Sequence, residues 1–156
     1  METQDKQNNW MQVAEIELVY KTTVKASERP IISNSKAAYD LLLPHWNEGL
    51  IELQEQFKIL LLNHANKVLG MVNISTGGMT ATVADPRLIL LAAIKSGACA
   101  IIMAHNHPSG NMKPSRADQE MTLKIKTAAE YHEIKVLDHL IVSPEGYYSF
   151  ADEGLL

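Results

Sequence analysis

Two histidines stand one residue apart in Ala104-His105-Asn106-His107-Pro108, and a serine and an aspartate stand three apart in Ser115-Arg116-Ala117-Asp118. The apolar run Ala98 to Ala104 leads straight into the histidines and reads as a buried strand. In extended backbone, residues i and i+2 share a face roughly 6–7 Å apart, so both imidazoles can converge on one ion. Pro108-Ser109-Gly110 then turns the chain away. Ser115 reads as the N-cap of the next helix, and Asp118 falls in its first turn, facing the same mouth. Two imidazoles and a carboxylate supply three zinc ligands and leave a fourth position for water, the layout of a catalytic zinc site. Such chemistry also needs a proton shuttle. The best-placed carboxylate is Glu55, just ahead of the apolar run Phe57 to Leu62, with Glu52 as runner-up.

Each piece also has a plainer reading. His-Asn-His-Pro fits a polar turn, Ser115-x-x-Asp118 fits a capping box, and Glu55 fits a solvated residue at a strand start. Two histidines at the end of a buried strand are harder to explain by packing, because imidazoles need partners. The cap and the metal site also coexist, since a cap can hold the helix start against the metal. His139, in an apolar run after Asp138, reads as a satisfied core histidine, with a place in the site wall as the alternative. His45, His64 and His132 read as solvated. Asn106 either donates to substrate backbone or shapes the turn. Cys99 reads as a small buried apolar residue, and Lys124 and Lys126 as a wet helix face.

Composition narrows the alternatives. The chain has 156 residues, one cysteine, 46% apolar residues and a net charge of -4. One cysteine excludes an internal disulfide and cysteine-pair zinc sites, and it favours a reducing cytoplasm. The acidic balance counts against nucleic-acid binding by bulk charge. No run reaches the ~18 apolar residues of a membrane span, and the polar start, residues 1–12, lacks a signal-peptide core and reads as a flexible arm.

The elements that must position these residues alternate. Val13 to Val24 has the parity of a strand, whose open edge could pair between subunits in a homo-oligomer. Ser33 to Leu43 reads as a helix capped by Ser33 or Ser35. Phe57 to Leu62 and Val68 to Ser75 read as a hairpin. Asp85-Pro86 opens a helix that runs from Arg87 to Lys95 and ends near Gly97. The helix after Ser115 is expected to bury Ala117, Met121, Ile125 and Ala128. Ile134 to Val142 and Tyr147 to Phe150 read as a closing strand pair. The pattern predicts one α/β or α+β domain over residues 13–156, with a mixed sheet covered by helices.

These motifs resemble the JAB/MPN metalloprotease (JAMM) family, in its bacterial RadC-like branch. The family pattern is an upstream glutamate, His-x-His-Pro, about ten residues, then Ser-x-x-Asp. Glu55, His105-Asn106-His107-Pro108 and Ser115-Arg116-Ala117-Asp118 match it, with Asp138-His139 and Tyr147-Tyr148-Ser149-Phe150 as further likenesses. The resemblance implies a three-layer α/β/α sandwich with a mixed sheet, related to cytidine deaminases. It implies that His105, His107 and Asp118 bind zinc, Glu55 activates the water, and Ser115 helps hold an oxyanion. The implied reaction is hydrolysis of a peptide or isopeptide bond. The family name carries a DNA-repair label, which makes DNA a second candidate partner, and a non-catalytic interaction module is a third reading. Longer members carry an N-terminal helix-hairpin-helix region, and the roughly fifty residues ahead of Glu55 lack its glycine-rich hairpin.

Overall fold

A computed structural model describes residues 13–78 and 83–156. The arm expected over residues 1–12, with Trp10, lies outside the described residues. The elements are α1 (Ser35–Leu42), β1 (Gln56–Leu62), β2 (Val68–Thr76), α2 (Pro86–Ser96), β3 (Ala100–Asn106), α3 (Arg116–Glu130), β4 (Lys135–Ser143) and β5 (Gly146–Ser149). The five strands form one mixed sheet in the order β2-β1-β3-β4-β5. Only β3 and β4 run parallel, joined through α3; the other neighbours are antiparallel.

Side-chain parity builds two cores, one on each face of the sheet. Leu60 and Leu62 of β1 and Ile102 and Ala104 of β3 pack under α1, against Ala38, Leu42 and Trp46. Phe57, Ile59, Ile101 and Met103 point the other way, against Ile89 and Ala93 of α2 and Ile125 and Ala129 of α3. A period of two on strands buried on both faces yields this three-layer α/β/α arrangement. The fold is α/β, consistent with the expected JAB/MPN architecture.

One bulge breaks the parity. Ile101 pairs with Val136 and Ile102 with Asp138, so Leu137 is an extra residue in β4. Val136 therefore packs in the α2/α3 core, whereas Leu140 and Val142 pack under α1. The extra residue turns His139 toward α3.

Four expectations need correction. Val13 to Val24 forms no strand: it has an irregular, exposed course, tied by the Tyr20 hydroxyl donating to the Leu69 carbonyl. Alternating apolar residues make a strand only where a ladder partner takes their backbone groups, and none of the five described strands does so. Helix α1 is capped by Asn34, whose side chain accepts from the Ala37 amide, rather than by Ser33 or Ser35. In α3 the buried residues are Asp118, Thr122, Ile125 and Ala129, while Ala117 is exposed and Met121 and Ala128 are half-buried. The stripe is rotated by about one residue because the interior here accepts polar groups with partners. Cys99 is half-buried instead of buried.

Asn106, the last residue of β3, joins the two halves of the sheet. Its Oδ1 accepts from Trp46 Nε1 (2.9 Å) and the Gln56 amide (2.8 Å). Its Nδ2 donates to the carbonyls of Ile51 (2.6 Å) and Gln54 (2.9 Å). All four bonds are internal, so Asn106 shapes the chain and has nothing left to offer a substrate. Asn106→Ala orphans two donors and two acceptors and is expected to cost ~2–4 kcal/mol of stability, read by urea unfolding. A cost under ~1 kcal/mol would show that water replaces these bonds.

Candidate metal centre

The site grows out of one strand end. His105 is the penultimate residue of β3 and shares the α2/α3 face with Ile101 and Met103. His107 follows two residues on, where the chain leaves the sheet. Asp118 comes from the first turn of α3, held by a complete capping box. The Ser115 amide and hydroxyl both donate to Asp118 Oδ2 at 2.7 Å, and the Asp118 amide donates back to Ser115 Oγ at 3.1 Å. The capping box and the ligand position therefore coincide in the same carboxylate.

Three side chains meet here. His105 Nε2 and His107 Nε2 are 3.0 Å apart. Asp118 Oδ1 lies 3.3 Å from the first, and Oδ2 3.4 Å from the second. Zinc bonds of ~2.0–2.1 Å to nitrogen and oxygen in a tetrahedron give edges of ~3.3 Å, and each of these contacts lies near that length. The His107 tautomer agrees with that use. Its Nδ1 must donate to the Asn111 carbonyl at 2.6 Å, because a carbonyl only accepts. The Nε2 lone pair is left to face the centre. Among the described residues, these three form the one cluster able to hold a metal ion.

Charge reinforces the geometry. Burial opposes ionisation of Asp118, but hydrogen bonds with His105, His107 and Ser115 win and hold its carboxyl well below the usual range. The hydrogen bond to Asp118 raises the His107 pKa against the lowering effect of burial. Burial, helped by the nearby Asp152 charge, pushes Asp138 up, although Ser149 Oγ and the His139 and Ala151 amides all donate to it.

Glu55 reaches the site through strand register. Phe57 pairs with His105 across β1 and β3, and Glu55, two residues before Phe57, lies near enough to His107 for its charge to raise the imidazole pKa. Glu55 is buried and lines the same open cavity of about 770 Å³ as His107, Ser115, Asp118 and Met121. Glu52 is exposed and lines a separate groove beside Leu43 and Trp46. His45, His64 and His132 are exposed and are not members of this cluster.

His139 is fully buried, as a core histidine should be, yet it also touches a candidate ligand. Its Nε2 lies 2.8 Å from His105 Nδ1. Its ring stacks on Phe150 at 4.7 Å and meets Phe57 edge-on at 5.5 Å. Thr122, which sequence reasoning passed over, lies 2.6 Å from His139 Nδ1. The available signal was its spacing, one helical turn after Asp118.

In the metal-free protein, His107 is expected to titrate above the ordinary ~6.5 of histidine. Asp118→Asn should bring it down. A pKa raised by folding means stability that is full below the unfolded value and lost as pH rises through the folded one. NMR titration of the His107 ring, with chemical denaturation across the same range, checks both. A His107 pKa at or below ~6.5 would contradict the pairing.

Residues 32–155 match the family model described as a RadC-like JAB domain. The chain is 44% identical over 124 residues to a "UPF0758 protein" of Flavobacterium johnsoniae, covering 80% of this chain and 53% of that one. It is 45% identical over 130 residues to a "UPF0758 protein" of Porphyromonas gingivalis, covering 82% and 56%. A "UPF0758 protein" of Symbiobacterium thermophilum is 40% identical over 137 residues, covering 85% and 57%. The chain thus spans about half the length of the curated relatives it matches. With the family model covering most of the chain and His105, His107 and Asp118 drawn together in space, the chain belongs to the RadC-like JAB domain family.

Proposed function

We propose that the chain is a zinc-dependent hydrolase acting on a peptide or isopeptide bond. The observation that carries this reading is the convergence of His105, His107 and Asp118, with contacts of 3.0–3.4 Å between each pair of side chains, beside a cavity that Glu55 also lines. When bound, zinc polarises a carbonyl and brings the pKa of a water down to about 7. The chain's own groups supply the rest. Glu55 takes the proton of the attacking water and delivers it to the leaving amine. The low dielectric of its buried position strengthens that exchange.

Ser115 has a narrower part. Its one hydroxyl proton is directed at Asp118 Oδ2, so its first task is to orient that ligand. Holding a substrate oxyanion requires the hydroxyl to rotate away from Asp118, leaving the Ser115 amide to keep the carboxylate in place. The open cavity admits an extended chain, and the net charge of -4 disfavours a polyanionic partner such as DNA. The single cysteine suits a reducing compartment such as the cytoplasm.

Metal analysis of the purified protein, with turnover of a peptide and isopeptide panel, tests the proposal. One zinc per chain is expected, and His107→Ala should abolish its retention. Glu55→Gln should keep the zinc and lower turnover by ~10²–10⁴-fold. Equal turnover in Glu55→Gln would remove Glu55 from the chemistry. A protein that takes up no zinc would remove the metal centre.

A further inference from the structure

A chain of hydrogen bonds leads from α3 through β4 to His105, and it has a direction. Thr122 Oγ1 lies 2.6 Å from the Asp118 backbone carbonyl and 2.6 Å from His139 Nδ1. A carbonyl only accepts, and two oxygens at that separation repel without a hydrogen between them. The threonine proton is therefore committed to Asp118, and the His139 contact must be an Nδ1–H donating to Thr122. The His139 ring is fully buried with Phe57 and Phe150 against it, and such apolar surroundings favour the neutral imidazole. The neutral ring then carries a lone pair on Nε2. That lone pair faces His105 Nδ1 at 2.8 Å, which must supply the hydrogen. With its Nδ1–H held by His139, His105 keeps Nε2, the nitrogen that faces His107 and Asp118, as the one left for a metal.

We propose that Thr122, acting through His139, fixes His105 in the Nδ1–H tautomer and so readies its Nε2 for metal. Thr122 and His139 are positioning residues: neither reaches the centre itself. Metal-binding histidines commonly have their second nitrogen fixed by a carboxylate, carbonyl or water. Here a second imidazole takes that place, and a hydroxyl fixes its orientation in turn. The bulge at Leu137 is part of the device, because it brings His139 onto the α3 side of β4. The significance for metal rests on the proposed zinc centre; the tautomer does not.

Long-range proton–nitrogen NMR of the metal-free protein reads each ring tautomer directly. His105 and His139 are both expected as Nδ1–H. In Thr122→Val, a near-isosteric change, His139 loses the acceptor for its Nδ1–H. Its proton should move to Nε2 and drive His105 to Nε2–H. Zinc affinity should then fall ~10–100-fold, and Thr122→Ser should restore both tautomer and affinity. Wild-type His105 found as Nε2–H would overturn the relay. So would an unchanged His105 tautomer in a folded Thr122→Val protein. The wild-type spectrum decides the matter even if Thr122→Val fails to fold. A wild-type protein with the expected tautomers but no zinc uptake would uphold the relay and refute the metal centre instead.

Discussion

Phe57 sits opposite His105 in the antiparallel pairing of β1 with β3, and the remaining geometry of the site depends on that register. It brings Glu55, two residues before Phe57, into the cavity that His107 lines. A slip of one residue would send every side chain of β1 to the opposite face, taking Phe57 out of the α2/α3 core and Glu55 away from the cavity. Two features resist that slip. The apolar residues of β1 are buried on both faces, so a shifted strand must repack both cores. Asn106 adds a polar lock at the strand end by holding the Gln56 amide directly.

The centre itself combines rigid and adjustable parts. His105 lies inside a fully buried strand and is backed by Phe57, with ring centroids 6.1 Å apart. Asp118 is held by the capping box that starts α3. His107 lies beyond the sheet and depends on the Asn111 carbonyl for its orientation. Two of the candidate ligands are thus fixed by secondary structure and the third by a loop. Ligands on rigid elements keep their geometry better than ligands on loops. His107, on the loop, also lines the open cavity.

Much of this was legible in the residues. Strand and helix positions follow from parity and caps, and His105, His107, Ser115 and Asp118 share one short stretch joining β3 to α3. A strand end followed by a capped helix start leaves few ways to arrange them. Three features were not legible, each for a separate reason. The Val13–Val24 periodicity carried no information about whether a ladder partner exists. The α3 stripe was read on the assumption that buried means apolar, but Asp118 and Thr122 go inside because they have partners there. His139 shares its parity with Leu137 and Ile141, and only the bulge determines which face it meets.

The sequence by itself determined the donor set: one cysteine, a His-x-His strand end and a Ser-x-x-Asp cap leave imidazole and carboxylate as the ligands. It also determined the mixed α/β layering, because period-two burial on both faces of a strand demands helices on both sides. The tertiary structure decided what joins that centre. Choosing Glu55 over Glu52 is a matter of register between β1 and β3. Bringing Thr122 and His139 behind His105 is a matter of one bulge and one helix rotation. Contacts between distant segments depend on the alignment of whole elements, and local residue preferences do not encode that alignment.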